Sequence, residues 1–479
     1  MKNFFDFLVS YSKRYGFIFP SNEIYGGINA VYDYGQYGVE LKNNIKKYWW
    51  ESMTQVHENI IGMDSSILTD INVWKASGHL KKFNELLIDN KDSKKRYRPD
   101  ILIENYVKKN FSKNLEKKNK ILSRLYYSLN KKDFLDIKKL INQLQISDPD
   151  NGSKNWTNIH FFNMMFKIKY IENLFLRPET AQNIYCNFNN IKKSNRINIP
   201  FGVAQIGKSF RNEIVARQFL FRLREFEQME MQFFISPKKE EENKWYNYWK
   251  KMRLKWHLEL NLGKDKYKLY NHQNLAHYAN LGVDIQFKFP FGFKELEGIH
   301  SRRDFDLKQH EVFSKKKLRI VENKNNYRPY VIETSLGLDR MFLSVLSSTL
   351  SKEKLENGND RIILKLPFYL SPVKAAIFPL VNKNELSKLA KKIFNDLKIE
   401  YKVEYDSKSS IGKLYRRQDA IGTPLCFTVD YETINTNTVT VRYRDSMKQE
   451  RIHIKKISKK IEEITSMKNI LKNISSNID

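Results

Sequence analysis

Between Gly207 and Phe234 the chain reads GKSFRNEIVARQFLFRLREFEQMEMQFF, two segments in which apolar side chains alternate with arginine and glutamate. Successive side chains of a strand project to opposite faces. Arg222, Arg224, Phe226, Gln228, Glu230 and Gln232 are therefore expected on one face, and Phe221, Leu223, Met229, Met231 and Phe233 on the other, with Glu225 and Glu227 interrupting the apolar side. In the preceding segment Arg211 and Glu213 share a face, and IVARQ is expected to join the two as an antiparallel hairpin. A lone Arg/Glu pair on a sheet is ordinarily a solvated salt bridge. Here an aromatic ring flanked by two arginines and a carboxylate offers a stacking surface, phosphate ligands and an ammonium acceptor. Those are the contents of a pocket for a nucleotide together with an amino group.

Positioning such a pocket takes a sizeable frame. The 479 residues exceed one ordinary core and predict two or three domains. Lys and Arg number 84 against 54 Asp and Glu, a formal charge of +30. A polyanion such as nucleic acid is the natural partner for that charge. Much of the excess is lysine scattered among Asn and Ile, so AT-rich coding remains an equal explanation. Only Cys186 and Cys426 are present, which excludes a disulfide framework and a cysteine-based zinc site and fits a reducing cytosol. Polar residues break the amino-terminal MKNFFDFLVSYSKRYGF, and no run approaches the ~18 apolar residues of a membrane span, so a cytoplasmic protein without membrane attachment is expected.

In VELKNNIKKYWWESMTQV, Leu41, Ile45, Tyr48, Met53 and Val56 mark one face of a helix. From about Val107 to Leu144 a lysine-rich stretch carries Phe111, Leu115, Leu122, Leu125 and Leu129 at helical spacing and ends in DPDNGS. Strand patterns fill Asn163 to Phe234 and Ile285 to Gly337, followed by the helix MFLSVLSSTL. The charged, Gly/Asn-rich stretch Glu353 to Asp360 is the best domain boundary. Beyond it strands (AAIFPLV, YKVEY, PLCFTVD, TVTVRYRD) alternate with helices, the first capped by Asn382 with Glu385 and the second ending near Gly422, an α/β module.

The order Phe210-Arg211-x-Glu213, a loop, then Arg222-x-x-x-Phe226 resembles the second signature motif of class II aminoacyl-tRNA synthetases, and SLGLDR (Gly337, Asp339, Arg340) resembles the third. GFIFPSNEIYGG, YDYG, VWKASGH, LRPETAQ, FGVAQIGKSFRNE, REFEQMEM, ELEGIHSRRDFDLKQH, IGKLYRRQDAIGTP and NTVTVRYRD are similar to the homodimeric glycyl-tRNA synthetase family, from about Gly16 to about Arg451. The resemblance implies an α+β fold. An antiparallel catalytic domain of the class II kind would span 1–355, with flanking helices and a helical insertion at about 82–157. A linker at 356–366 would lead to an α/β anticodon-binding domain at 367–479 with a basic tail.

It also implies the reaction: glycine, ATP and tRNA(Gly) giving glycyl-tRNA(Gly), AMP and diphosphate through glycyl-adenylate, by a homodimeric enzyme. In that picture Arg211 holds the α-phosphate, Arg340 the far end of the triphosphate, and Phe226 stacks on adenine with Arg222 opposite and Glu213 fixing the base. Asn212, Phe221, Leu223, Arg224, Glu225, Leu296, Gly337, Leu338 and Asp339 complete the nucleotide site, and Glu295 is the Mg²⁺ ligand. Zinc is not expected. Glycine has no side chain to grip, so Glu179 (beside Arg177) and Glu230 would receive its ammonium and Ser335 would exclude anything larger. Arg98, Phe226, Glu227, Gln228, Met229, Glu333, Thr334, Leu336 and Gly337 complete that pocket. Arg416, Arg417, Arg442 and Arg444 would face the anticodon region. Gln36 and Thr334 stand where the family usually has proline, and Asp89 and Asp92 where many relatives carry a cysteine pair. Two other readings are weighed. A non-catalytic nucleic-acid-binding relative would lack the phosphate-binding arginines, all present here. A glycosidase built on Glu225 and Glu227 leaves those arginines unexplained.

Overall fold

The computed structural model describes residues 2–112, 114–214, 218–272, 275, 278–322, 325–355, 358 and 360–476. Its largest sheet has seven strands: β1 (Ile60–Gly62), β2 (Phe201–Phe210), β3 (Glu225–Ile235), β4 (Tyr267–Asn271), β5 (Leu281–Phe289), β6 (Gly292–Arg303) and β7 (Tyr330–Gly337), in the order β4-β5-β6-β7-β3-β2-β1. Every pairing is antiparallel except β1 with β2. β2 and β3 pair as expected, while residues 215–217 of the expected IVARQ turn lie outside the described residues.

One face of the sheet packs on helices α1 (Gln36–Thr54), α2 (Lys239–Glu259) and α3 (Leu338–Thr349). The alternation read from the sequence carries this out: Met229, Met231 and Phe233 of β3 join Leu41, Ile45, Tyr48 and Met53 of α1 in one core. Three glutamates in the first turn of α2, Glu240 to Glu242, complement the helix dipole. Arg222 and Arg224 precede β3, because Phe219–Phe221 forms a 3₁₀ turn that delays the strand.

The stretch expected as a helical insertion folds as helices Pro99–Asn110, Leu115–Lys131 and Phe134–Gln143, with Ile103, Leu125, Ile137 and Ile141 in a core of their own. Leu115 is exposed, since it opens its helix just after the Asn114 cap. The insertion also has a sheet, Asn84–Asp89 between Arg96–Tyr97 and His160–Asn163. No helix among the described residues is long and apolar enough to cross a membrane.

Within the segment read as a linker, Asp360–Leu364 pairs with Leu350–Lys354 as a hairpin that buries Ile363 and Leu364. Beyond it, β8 (Ala375–Pro379), β9 (Val403–Tyr405), β10 (Leu425–Val429), β11 (Thr438–Tyr443) and β12 (Gln449–His453) form a sheet ordered β9-β8-β10-β11-β12, parallel over the first three strands. Helices α4 (Asn384–Leu397) and α5 (Ile411–Ile421) follow β8 and β9. Lys383, not Asn382, occupies the cap of α4, and the Asn382 side chain accepts a hydrogen bond from Ser387 Oγ at 3.0 Å instead. Gly422 ends α5 in the left-handed conformation, φ 85°.

Two arginines expected on an RNA-facing surface are buried in this domain. Arg442 donates two hydrogen bonds to Asp419, at 2.8 and 3.0 Å, and Arg444 donates to the carbonyls of Gly422 and Leu366 at 2.8 and 2.7 Å. In TVTVRYRD the alternation turns Arg442 toward α5, where a carboxylate awaits it. Arg416 and Arg417 are exposed, Arg417 pairing with Asp406 at 3.0 Å. Asp419 also accepts from Arg361 of the hairpin at 2.8 Å, so one buried carboxylate ties both sides of the boundary together. Asp419→Ala would strand two buried guanidinium groups, and the expected cost is about 3 kcal/mol. Urea unfolding should show a lowered midpoint; an unchanged midpoint would refute the tie.

Candidate active site

The other face of the sheet carries a cavity of about 250 Å³. Register builds it. Asp284 of β5, Gly298 of β6, Ser335 of β7 and Glu230 of β3 lie opposite one another in a row across the sheet, and Gly282, His300, Glu333 and Gln232 form the next row. A β-bulge makes this face possible in β6. Gln286 and Ile285 are adjacent on β5, yet their partners on β6 are Glu295 and Glu297. Leu296 is the extra residue, and the count shifts by one. Glu295 therefore reaches the cavity, while Glu297 is buried on the helix side, 2.6 Å from both Arg253 Nε and His257 Nε2 of α2.

One end of the cavity is acidic. Glu179, Glu230 and Glu333 all line it, with Arg302 among them. Arg302 Nη1 lies 2.9 Å from Glu333, and its other nitrogens bind Asp306 at 2.7 and 2.9 Å. Burial alone would raise Glu333, but Arg302 and then His300 outweigh it and hold the carboxyl well below its usual range. Glu179 is likewise pushed up by burial yet brought down to about 2, chiefly by His79 at 3.3 Å. Glu230 receives no such compensation: burial first, then the charges of Glu333 and Glu179, push it well above the ordinary carboxylate range. Thr180 Oγ1 donates to it and Gln232 Nε2 donates at 3.2 Å, both neutral groups. This end lacks one positive charge, which an ammonium group would supply.

The other end is basic. Arg211 lies between two aromatic rings, 5.1 Å from the Phe226 centroid and 5.3 Å from that of Phe83, and its Nε donates to the Pro178 carbonyl at 3.0 Å. Both terminal nitrogens have no hydrogen bond among the described residues, so the fork is held rigid with its donors open. Arg340 stands over Phe221 at 4.4 Å and pairs with Glu295 at 3.2 Å. That guanidinium holds the Glu295 carboxyl below its usual range against burial. Arg222 lies 3.6 Å from Glu213, whose carboxyl burial raises and Arg222, Arg211 and Arg340 lower. Arg211 also covers the Phe226 ring.

Of the residues expected at the site, Glu179, Arg211, Glu213, Phe221, Arg222, Leu223, Phe226, Glu227, Gln228, Glu230, Glu295, Glu333, Ser335, Gly337, Asp339 and Arg340 line this one cavity. Others do not. Met229, Leu296, Leu336 and Leu338 point into the apolar core, and Thr334, opposite Met231, is turned the same way and wholly buried. Asn212 meets Met164 through its backbone, Arg224 donates to the Glu213 carbonyl at 3.0 Å, and Glu225 pairs with Lys208. Arg98 is taken by Asp100 at 2.6 Å and Glu85 at 3.4 Å and does not line the cavity. Arg177 binds the carbonyls of Lys208 and Ser65, at 2.7 and 2.9 Å, instead of Glu179.

The sequence reading missed Arg302, His300 and Tyr278 of the lining, and Lys42 behind it. Lys42, one turn along α1 from Gly38, reaches Glu227 at 3.0 Å and Asp339 at 3.5 Å; Lys46 also pairs with Glu227, and the Tyr34 hydroxyl donates to Asp339. These contacts answer the interruption noted at Glu227. Its charge is neutralised from α1 at the edge of the core. The run HSRRD held the signal for His300 and Arg302, whose spacing of two puts them on one strand face.

Residues 165–349 match the family described as the tRNA synthetase class II core domain (G, H, P, S and T), residues 374–464 the anticodon binding domain, and residues 85–118 and 108–164 the glycyl-tRNA synthetase insertion domain 1. A glycine–tRNA ligase of Chlorobaculum tepidum is 47% identical over 94% of this chain and 97% of its own length. Those of Borreliella burgdorferi and Macrococcus caseolyticus are 45% and 44% identical, over 93% and 95% of this chain and 94% and 97% of theirs. A solved structure titled as the RNA binding domain of threonyl-tRNA synthetase from Cryptosporidium parvum superposes with a TM-score of 0.62 at 15% identity, covering 95% of this chain and 97% of that one. That likeness concerns the fold. With a buried acidic end, a basic end and these relatives along nearly its whole length, the chain belongs to the glycine–tRNA ligase family of class II aminoacyl-tRNA synthetases.

Proposed function

We propose that the chain activates glycine with ATP and transfers the glycyl group to tRNA(Gly). The observation that carries this reading is that Arg211, Phe226, Glu230 and Arg340 share a single cavity with acid at one end and arginine at the other. A glycine carboxylate oxygen attacks the α-phosphorus of ATP, the bond to diphosphate breaks, and glycyl-adenylate forms. A terminal ribose hydroxyl of the tRNA then attacks the carbonyl carbon, loses its proton, and AMP leaves. Both steps move charge between anionic partners, so positioning and electrostatics do most of the catalysis.

Arg211 meets the negative charge that develops on the α-phosphate with its two open donors. Arg340 receives the distal phosphates, and the adenine lies against Phe226 with Arg222 on its other side. The carboxylate oxygens of Glu295 suit a hard cation, and Mg²⁺ arriving with ATP would supply neutralisation of the phosphate oxygens there. Glu230, Glu179 and Glu333 accept the glycine ammonium. Ser335, whose hydroxyl is 3.4 Å from Gln228 Nε2, closes the space a side chain would need. The 367–479 domain, with Arg416 and Arg417 exposed, takes the anticodon, and the 1–355 domain carries the chemistry. The enzyme works as a homodimer in the cytoplasm.

Arg211→Ala is expected to lower glycine-dependent ATP–diphosphate exchange by about 100-fold or more with unchanged circular dichroism. Exchange close to that of the unaltered enzyme would remove Arg211 from the mechanism. Ser335→Val should raise the KM for glycine by roughly tenfold while that for ATP stays put, because excluding a methyl-sized group is the only discrimination available; equal changes in both would indicate a distorted sheet. Since Glu230 must be ionised to hold an ammonium and its pKa is raised, the KM for glycine should climb as pH falls toward that raised pKa, above the ordinary carboxylate range, a slope that Glu230→Gln abolishes. A pH-independent KM in the unaltered enzyme would sink the ammonium assignment.

A further inference from the structure

Beyond Glu333, on the side away from Glu230, the row across the sheet continues to His300 of the cavity lining and, past it, to side chains that the reaction above does not use. His272, Asp284 and His300 each offer one ligand atom, and those three atoms lie within 4.8 Å of one another. His272 follows the last residue of β4, and its backbone N–H donates to the Gly282 carbonyl at 3.2 Å, which fixes it beside β5. Gly282 in turn faces His300 on β6.

We infer that His272, Asp284 and His300 form a binding site for one divalent transition-metal ion, zinc being the favoured occupant. Three observations carry this. The donor set is two imidazoles and a carboxylate, which suits zinc and its first-row neighbours and disfavours Mg²⁺, a cation that seeks oxygen alone. The donors are already assembled: His272 Nε2 lies 2.9 Å from Asp284 Oδ1, and the two imidazole rings are 6.0 Å apart and inclined by 31°. Bonds of about 2.1 Å to a tetrahedral ion separate its ligand atoms by about 3.4 Å, so the outermost must draw in by up to about 1.4 Å, within reach of side-chain rotation.

The third observation is that the sheet makes room for the His300 ring. A Cβ at Gly298 would lie 2.8 Å from His300 Cε1, and a Cβ at Gly282 would lie 2.9 Å from His300 Cδ2. Glycine in two neighbouring strands leaves the hollow the imidazole occupies. His300 Nδ1 is also buried without a hydrogen bond among the described residues, its neighbour being Glu333 Oε2 at 3.5 Å. An ion here would add positive charge beside Glu333, which His300 Nδ1 faces. Cysteine counting kept zinc out of view, because this set contains no thiolate.

The test uses untagged full-length protein stripped with a chelator and titrated with Co²⁺ as a spectroscopic probe, then with Zn²⁺. One Co²⁺ per chain with visible d–d absorption, displaced by Zn²⁺, is expected. His272→Ala and Asp284→Asn should each weaken binding by roughly tenfold or more. Glycine-dependent exchange of His272→Ala, in buffer containing Mg²⁺ but freed of transition metals, should match the unaltered enzyme, which reports that the variant is folded; should it not, His272→Gln replaces it. Absence of stoichiometric Co²⁺ binding, or binding that survives both substitutions undiminished, overturns the proposal.

Discussion

Three carboxyl groups and one permanent internal cation share the floor of the cavity, and everything else in the catalytic domain serves to keep them there. Arg302 is bound on both sides, to Glu333 and to Asp306, so its charge is spent before it can serve Glu230. Glu230 consequently holds its proton more tightly in the folded chain than it would unfolded. A carboxyl with a raised pKa favours the folded state only below its ordinary titration range, and its contribution is lost as pH rises through the shifted value. Near neutral pH the group costs stability. Such a cost is sustained when the missing charge arrives with the substrate.

The sheet carries this arrangement because its two faces do opposite work. Met229, Met231 and Phe233 lock β3 to the helices, and that lock sets the register placing Glu230 beside Ser335 and Gln232 beside Glu333. A slip of one residue would turn every carboxylate into the core. The rim is fastened separately, by Lys42 and Lys46 of α1 holding Glu227 and by Tyr34 and Lys42 holding Asp339. Residues near the amino terminus thus anchor the start of α3, some 300 positions later.

Where the chain alternates cleanly, the sequence was legible. The faces of β3, the helical face of α1, the strand and helix order of the last third and most of the cavity lining follow from period and motif. Legibility failed where side chains answer to partners instead of period. Arg442 and Arg444 read as surface charges because nothing nearby in the sequence announces Asp419 or the carbonyls of Gly422 and Leu366. Arg98 reads as a pocket residue until Glu85 and Asp100 are seen to claim it. Asp360–Leu364 reads as a linker because its charged neighbours mask a strand whose apolar residues meet the boundary hairpin.

The extra residue at Leu296 shows how little of β6 could have been anticipated from pattern alone. ELE looks like two equivalent acids, yet one lines the cavity and the other meets Arg253 and His257. The bulge there consequently matters as much as side-chain identity. Were β6 to run in plain alternation with the same residues and Glu297 held in place, Glu295 would turn to the helix side and meet the buried Arg253. Which acid belongs to which face is thus decided by one irregularity in the backbone.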